Sequence, residues 1–190
     1  AATVATYHGD WRAERAAMRP LFDDPAVSAV GEIGRDHHWP LPAQEQYDLF
    51  EAQLQLAQEL DLPVSVHDRE AHAEMYELLR QYRPRGVLHC YSGSAEDAAW
   101  LTAQGMALGF GGAVTYKGAK RAAKVLAMVP HELAELETDC PYMSPEPVRG
   151  TRHDSRNIAH VAAKIGEIWQ MDAQSVLDLT AENAKRIFNQ

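Results

Sequence analysis

The chain has 190 residues, of which 46% are hydrophobic and 24% are charged, and its formal net charge is −9. These values predict a single globular domain over residues 1–190, with an acidic surface that binds phosphate backbones poorly. No apolar run approaches the ~20 residues of a membrane span, and residues 1–8 lack the basic start of a signal peptide. Because Cys90 and Cys140 are the only cysteines, we expect a cytoplasmic protein without a disulfide framework.

Short apolar runs of β-branched and small residues alternate with helical patterns along the chain. The predicted strands cover residues 1–7, 27–33, 63–66, 86–89, 106–110 and 134–138. The predicted helices cover residues 11–21, 43–60, 70–82, 94–105, 119–128 and two or three segments of 158–188, with caps at Ser94, Asp172 and Thr180. This alternation predicts parallel strands joined by right-handed crossovers.

The number of strands sets the expected architecture. A TIM-type (β/α)8 barrel has eight parallel strands, outer helices and typically about 250 residues. This chain supplies six predicted strands and starts within one of them. We therefore expect an α/β fold that is a TIM-type barrel lacking about the first two βα units; an open sheet is the alternative.

Four predicted strands end in a residue that can bind a metal, namely Glu32, His67, His89 and Asp139. The carboxyl ends of barrel strands meet at one mouth, so these side chains are expected to converge there as metal ligands. Two imidazoles and two carboxylates suit Zn or Mn better than Mg. Such an ion activates water near neutral pH; Asp139 can also take the proton, and Glu32 can bridge a metal pair.

Each of these residues also has a simpler interpretation. Glu32 in an apolar strand could pair with a buried Arg or Lys, and a single strand-end His is more often a core residue. Because side chains alternate along a strand, Cys90 and Cys140 should point away from the ligands and pack as small hydrophobic residues.

Three arginines lie close to the predicted mouth. Arg69 follows His67, and Arg149 and Arg152 lie in the loop after the last strand. Guanidinium groups there could hold an anionic group of a substrate. Ordinary surface or ion-paired arginine is the alternative for all three.

Four blocks in this order resemble the signature segments of the TatD family of metal-dependent deoxyribonucleases. They are residues 30–36 (VGEIGRD), 63–69 (PVSVHDR), 88–93 (LHCYSG) and 136–142 (LETDCPY), with Glu182-Asn183-Ala184 near the C-terminus. The resemblance implies a TIM-barrel hydrolase of the amidohydrolase-like group that cleaves DNA phosphodiesters with one or two Mg, Mn or Zn ions.

The resemblance also implies roles for individual residues. Glu32, His67, His89 and Asp139 match the metal ligands, with Asp139 near the catalytic water, and Arg69 matches the arginine after the metal-binding histidine. Tyr91, in the third block, and His8, which matches a histidine after the third strand, are expected to contact substrate.

Departures from the family pattern leave two other functions open. The His-x-His block of the family's first strand is absent, and Arg35 stands where leucine is usual. An ester or amide hydrolase, such as a D-aminoacyl-tRNA deacylase, is one alternative. A catalytically impaired scaffold is the other, because the first strand would be missing.

Overall fold

The computed structural model describes residues 10–188. Contacts divide the described residues into two compact units, the first comprising residues 10–86 with Phe188 and the second comprising residues 87–187. The predicted strand at residues 1–7 and His8 lie outside the described residues. The prediction of a single domain over residues 1–190 remains a prediction.

The first unit alternates helices with two parallel strands. Its elements are α1 (Trp11–Met18), β1 (Val30–Asp36), α2 (Ala43–Leu60), β2 (Val64–Arg69) and α3 (His72–Tyr82). The predicted helix over residues 11–21 ends earlier, because Pro20 lies in a 3₁₀ turn at Arg19–Asp23 and proline disfavours α-helical backbone in the residue before it.

Strands β1 and β2 pair in a register that depends on one glycine. Gly34 lies opposite His67, and Asp36 lies opposite Arg69. The φ of Gly34 is +131°, and a side chain there would overlap the backbone of His67. Helix α2 covers β1 and buries Phe50 and Leu54, as the three- and four-residue spacing of its apolar residues predicts.

The second unit contains three parallel strands and four helices. They are β3 (Gly86–Leu88), α4 (Ala95–Ala103), β4 (Ala107–Phe110), α5 (Lys120–Leu126), β5 (Ala134–Leu136), α6 (Ile158–Trp169) and α7 (Ala173–Phe188). Strand β4 pairs with both β3 and β5 and is buried throughout. A continuous apolar strand of this kind is typical of a parallel sheet covered on both faces.

The predicted helix caps have different outcomes. The Ser94 hydroxyl accepts the Asp97 N–H at 3.0 Å, and Asp172 accepts the Ser175 N–H at 3.0 Å, so both caps are confirmed. The Thr180 cap is wrong, because Thr180 lies inside α7 and its hydroxyl donates to the Val176 carbonyl at 2.9 Å.

The buried Asn183 fastens α7 to the start of β5. Its amide donates to the carbonyls of His131 at 2.8 Å and Ala134 at 2.9 Å. Among the described residues, no helix has both the length and the apolar character needed to cross a membrane.

Candidate metal centre

In the first unit, the His67 imidazole lies between two carboxylates. Its Nδ1 is 2.8 Å from Glu32 Oε1, and its Nε2 is 3.1 Å from Asp36 Oδ2. When Nε2–H donates to Asp36, the lone pair of Nδ1 faces the Glu32 carboxylate. An imidazole nitrogen and a carboxylate oxygen are both common ligands of divalent ions, so the donor chemistry of this pair fits such an ion.

The backbone and side chain of Asp36 are both held in place. Its N–H donates to Gln46 Oε1 at 2.8 Å, and its Oδ1 accepts the His38 N–H at 2.9 Å. Gln46 is buried in α2, so the helix that covers β1 also fixes the backbone of Asp36. Hydrogen bonds of this kind orient an imidazole toward a metal.

Glu32 is more exposed than a buried-strand interpretation suggests. Its side chain is 38% exposed, and the register of β1 against β2 shifts between Val30 and Ile33. Glu32 therefore lies in an irregular part of β1 where solvent and a metal ion can reach it.

The buried cation of this strand is Arg35, which replaces the usual leucine. Its Nη1 is 2.6 Å from Glu74 Oε2, and its Nη2 donates to the Ala43 carbonyl at 3.0 Å. The guanidinium also lies 5.5 Å from the Tyr47 ring centroid. These partners explain how a charge is accommodated at a site that is 2% exposed.

In the second unit, His89 lies beside Glu137, a residue that the sequence analysis did not assign to the site. His89 Nδ1 is 3.8 Å from Glu137 Oε2, and the Cys90 N–H donates to Glu137 Oε1 at 2.5 Å. The ligand atoms of His89, Cys90 and Glu137 all lie within 4.8 Å of one another. The prediction that Cys90 points away from His89 and packs as a small hydrophobic residue is therefore wrong.

The reason for this error is the length of the strands. Strand β3 ends at Leu88 and β5 at Leu136, so side-chain alternation does not extend to Cys90 or Cys140. Cys90 has a left-handed backbone with φ of 47°, which turns its side chain back toward His89. Cys140 is exposed in the loop after β5 rather than packed.

Burial raises the pKa of the Glu137 carboxyl. The His89 imidazole and the Cys90 N–H oppose this effect, and the neighbouring Asp139 adds to it. Gly109 makes room for the carboxylate, since a Cβ there would lie 2.5 Å from Glu137 Oε2. A desolvated carboxylate beside an imidazole is a favourable place for a cation.

The loop that follows Asp139 carries the predicted phosphate-binding arginines. Asp139 is exposed, and its carbonyl accepts the Tyr142 N–H at 2.9 Å. The Arg149 guanidinium lies 4.0 Å from the Tyr116 ring centroid and is 54% exposed. Arg152 is exposed in the same loop.

The other two predicted substrate contacts within the described residues differ in exposure. Arg69 is exposed at the end of β2. Tyr91 is 8% exposed, and its hydroxyl donates to the Ser94 carbonyl at 2.6 Å. The roles of Arg69 and Tyr91 in substrate binding remain predictions, as does that of His8.

Sequence reasoning missed Asp36 and Glu137. Glu137 lies two residues before Asp139 in the fourth block, so its carboxylate was a visible candidate. Asp36 lies four residues after Glu32, and only the β1–β2 register brings its side chain to His67.

Residues 4–189 match the sequence profile of the family described as "TatD related DNase". The metal-dependent hydrolase YabD of Bacillus subtilis, described as uncharacterized, is 37% identical over 90% of this chain and 69% of its own length. A protein of Edwardsiella piscicida named "3'-5' ssDNA/RNA exonuclease TatD" is 36% identical over 94% of this chain and 72% of its own length.

A solved structure gives the same result at the level of the fold. The TatD homolog YJJV of Escherichia coli K12 is 30% identical, with a TM-score of 0.85 over 96% of this chain and 72% of that one. This likeness confirms the predicted α/β fold of TIM-barrel type. With a family profile that matches nearly the whole chain and relatives above 30% identity, the chain belongs to the TatD-related DNase family.

Proposed function

We propose that this protein hydrolyses phosphodiester bonds of single-stranded DNA or RNA, removing nucleotides from the 3′ end. Membership of the family makes it a metal-dependent hydrolase. The 3′-to-5′ direction of cleavage and the single-stranded substrate are proposed from the names of relatives such as the Edwardsiella piscicida protein. The observation that carries the proposal is the His67 imidazole between the Glu32 and Asp36 carboxylates.

Glu32, His67, His89 and Asp139 form the proposed ligand set of a divalent ion, Zn or Mn in preference to Mg. An ion held by these residues would polarise a phosphoryl oxygen and activate water as the nucleophile. The half-buried His67 is in contact with Asp36 through Nε2, so Asp36 would support a ligand role for Nδ1 on the other side of the ring. If a pair of ions were bound, Glu32 would be a ligand available to both.

The proposed roles in proton transfer and phosphate binding belong to one carboxylate and three arginines. We propose that Asp139 takes the proton of the attacking water, which its exposure allows. Arg149 and Arg152 bind substrate phosphates, together with Arg69. The net charge of −9 makes these local cations important, because the protein as a whole repels a polyanion.

Single-turnover cleavage of a 5′-labelled oligonucleotide tests the proposal, with Mn, Mg or Zn added to metal-free protein. We expect shortening from the 3′ end of single strands, loss of cleavage with a chelator, and a loss of about 10²-fold or more in Asp139→Asn. Asp178→Asn, an exposed carboxylate on α7 that accepts from Gln174, is the matched control. Cleavage that survives both chelation and Asp139→Asn would contradict the mechanism.

A parallel assay on aminoacyl-tRNA separates the ester-hydrolase alternative. Deacylation without cleavage of DNA or RNA would replace the nuclease assignment and retain the metal site.

A further inference from the structure

Three chemically different ligand atoms meet at the carboxyl end of β3. They are the imidazole of His89, the thiol of Cys90 and the carboxylate of Glu137, and all three side chains are half-buried. The family resemblance and the proposed ligand set account for His89 but not for the thiol. Nothing in the proposed hydrolysis uses Cys90.

The backbone holds this group in place at three points. The Cys90 N–H fixes Glu137 Oε1, so the other carboxylate oxygen faces His89 Nδ1. The Tyr91 N–H donates to the Gly109 carbonyl at 2.9 Å, and the Glu137 N–H donates to the Phe110 carbonyl at 3.2 Å. Tyr91, which follows β3, and Glu137, which follows β5, are therefore both hydrogen-bonded to β4, the strand between β3 and β5.

The distances suit a tetrahedral ion. Zinc binds nitrogen and oxygen at about 2.0–2.2 Å and thiolate sulfur at about 2.3 Å, so ligand atoms on one ion lie roughly 3.3–3.6 Å apart. His89 Nδ1 and Glu137 Oε2 are already 3.8 Å apart, and no pair in the group exceeds 4.8 Å. Small side-chain rotations would close the remaining gap.

The ligand types select among metals. A thiolate favours Zn and comparable borderline-soft ions, whereas Mg requires oxygen ligands and retains its water. Three protein ligands leave a fourth position for water or substrate. A half-buried site is accessible to the ion and still partly desolvated.

We propose that His89, Cys90 and Glu137 bind Zn²⁺, with Cys90 Sγ as a direct ligand. His89 is also in the ligand set proposed above. A catalytic role for this zinc ion therefore rests on the proposed function, whereas the binding of zinc to these three residues does not. The thiolate makes the second unit zinc-selective.

Titration of the metal-free 190-residue chain with Co²⁺ tests this site, because a thiolate on cobalt gives a near-ultraviolet charge-transfer band. We expect the band in the unmodified protein and in Cys140→Ser, the matched control with its exposed thiol. We expect no band in Cys90→Ser, and a loss of zinc affinity on the order of 10-fold or more in competition with a chromophoric chelator. Cobalt binding without the band, or a band that survives in Cys90→Ser, would overturn the site.

X-ray absorption of the zinc-loaded unmodified protein gives a readout that does not depend on the folding of a variant. One sulfur neighbour at about 2.3 Å supports the site, and a shell of nitrogen and oxygen alone refutes it. The oligonucleotide assay separates this inference from the function. Cleavage without a sulfur ligand leaves the function intact, whereas a sulfur ligand without cleavage leaves the zinc site and removes the nuclease.

Discussion

Asp36 Oδ2 lies 3.1 Å from Nε2 of His67, on the side of the imidazole opposite to Glu32. When Nε2–H donates to Asp36, Nδ1 is the nitrogen with a lone pair to offer an ion. Asp36 is itself fixed by Gln46 of α2. A residue of α2 is thus linked through Asp36 to His67, the proposed metal ligand on the neighbouring strand.

Replacing this carboxylate should weaken metal binding without removing a ligand. We expect Asp36→Asn to lower the affinity for Zn or Mn by about 10–100-fold, measured by competition with a chelator. In the metal-free protein, the ¹⁵N chemical shifts of His67 should report a changed tautomer. Asp68→Asn is the control, because the Asp68 carboxylate pairs with His72 at 2.6 Å. An unchanged affinity in Asp36→Asn would remove the positioning role.

Gly109 should tolerate no side chain while Glu137 keeps its position. A Cβ at Gly109 would lie 2.5 Å from Glu137 Oε2 and 3.0 Å from His89 Cα, and the Cys90 N–H prevents the carboxylate from moving freely. We expect Gly109→Ala to cost about 1–3 kcal/mol in the free energy of unfolding and to weaken metal binding.

The control for this change is Gly111→Ala, whose Cβ would meet nothing closer than 3.4 Å. Urea unfolding and metal titration measure both variants. Equal stability of Gly109→Ala and Gly111→Ala would show that the Glu137 carboxylate is not confined by Gly109.

The pH dependence of stability should carry the signature of Glu135. Burial raises its pKa from 4.5 to about 8, Arg186 opposes the shift, and Glu137 adds to it. The folded protein therefore holds a proton that the unfolded chain has released. The stability contributed by the neutral carboxyl is fully present below pH 4.5, declines as the pH rises, and is lost above about pH 8.

We expect the free energy of unfolding of the metal-free protein to fall between about pH 5 and 8, with a slope of at most about 1.4 kcal/mol per pH unit from this group. Glu135→Gln should flatten the slope, while the exposed Glu182→Gln on α7 should not. Glu137 is present in all three proteins, so the difference between slopes reports Glu135. Parallel slopes in the unmodified protein and Glu135→Gln would contradict the raised pKa.

Local patterns in the sequence were sufficient to predict where individual helices and strands lie. The periodic apolar residues of 43–60 predict a helix that the structure has at Ala43–Leu60, and the run at 106–110 predicts the buried strand β4 at Ala107–Phe110. The apolar face of a helix or strand is formed by residues close together in the sequence, so a single sequence is enough to reveal it.

Strand ends and long-range partners were less predictable. The apolar run that ends in His89 extends one residue beyond β3, and the left-handed backbone of Cys90 then turns its side chain toward His89. The contact between the Cys90 N–H and Glu137 spans 47 residues. No period along the chain encodes such a contact, because it depends on how β3, β4 and β5 pair.

Arg149 should contribute one phosphate contact to substrate binding. Its guanidinium stacks 4.0 Å from the Tyr116 ring centroid, which orients it at low cost in side-chain entropy. We expect Arg149→Ala to raise the Kd for a single-stranded oligonucleotide roughly tenfold and to reduce the salt slope by about 0.7, as expected for one lost contact on a single strand. Arg149→Lys should keep the slope and lose part of the affinity, since it retains the charge without the planar stack.

Arg156→Ala is the control, because Asp154 already pairs with Arg156 at 2.8 Å. Fluorescence anisotropy at several salt concentrations measures all three, and a salt slope that is the same in Arg149→Ala as in the unmodified protein would place the phosphate elsewhere.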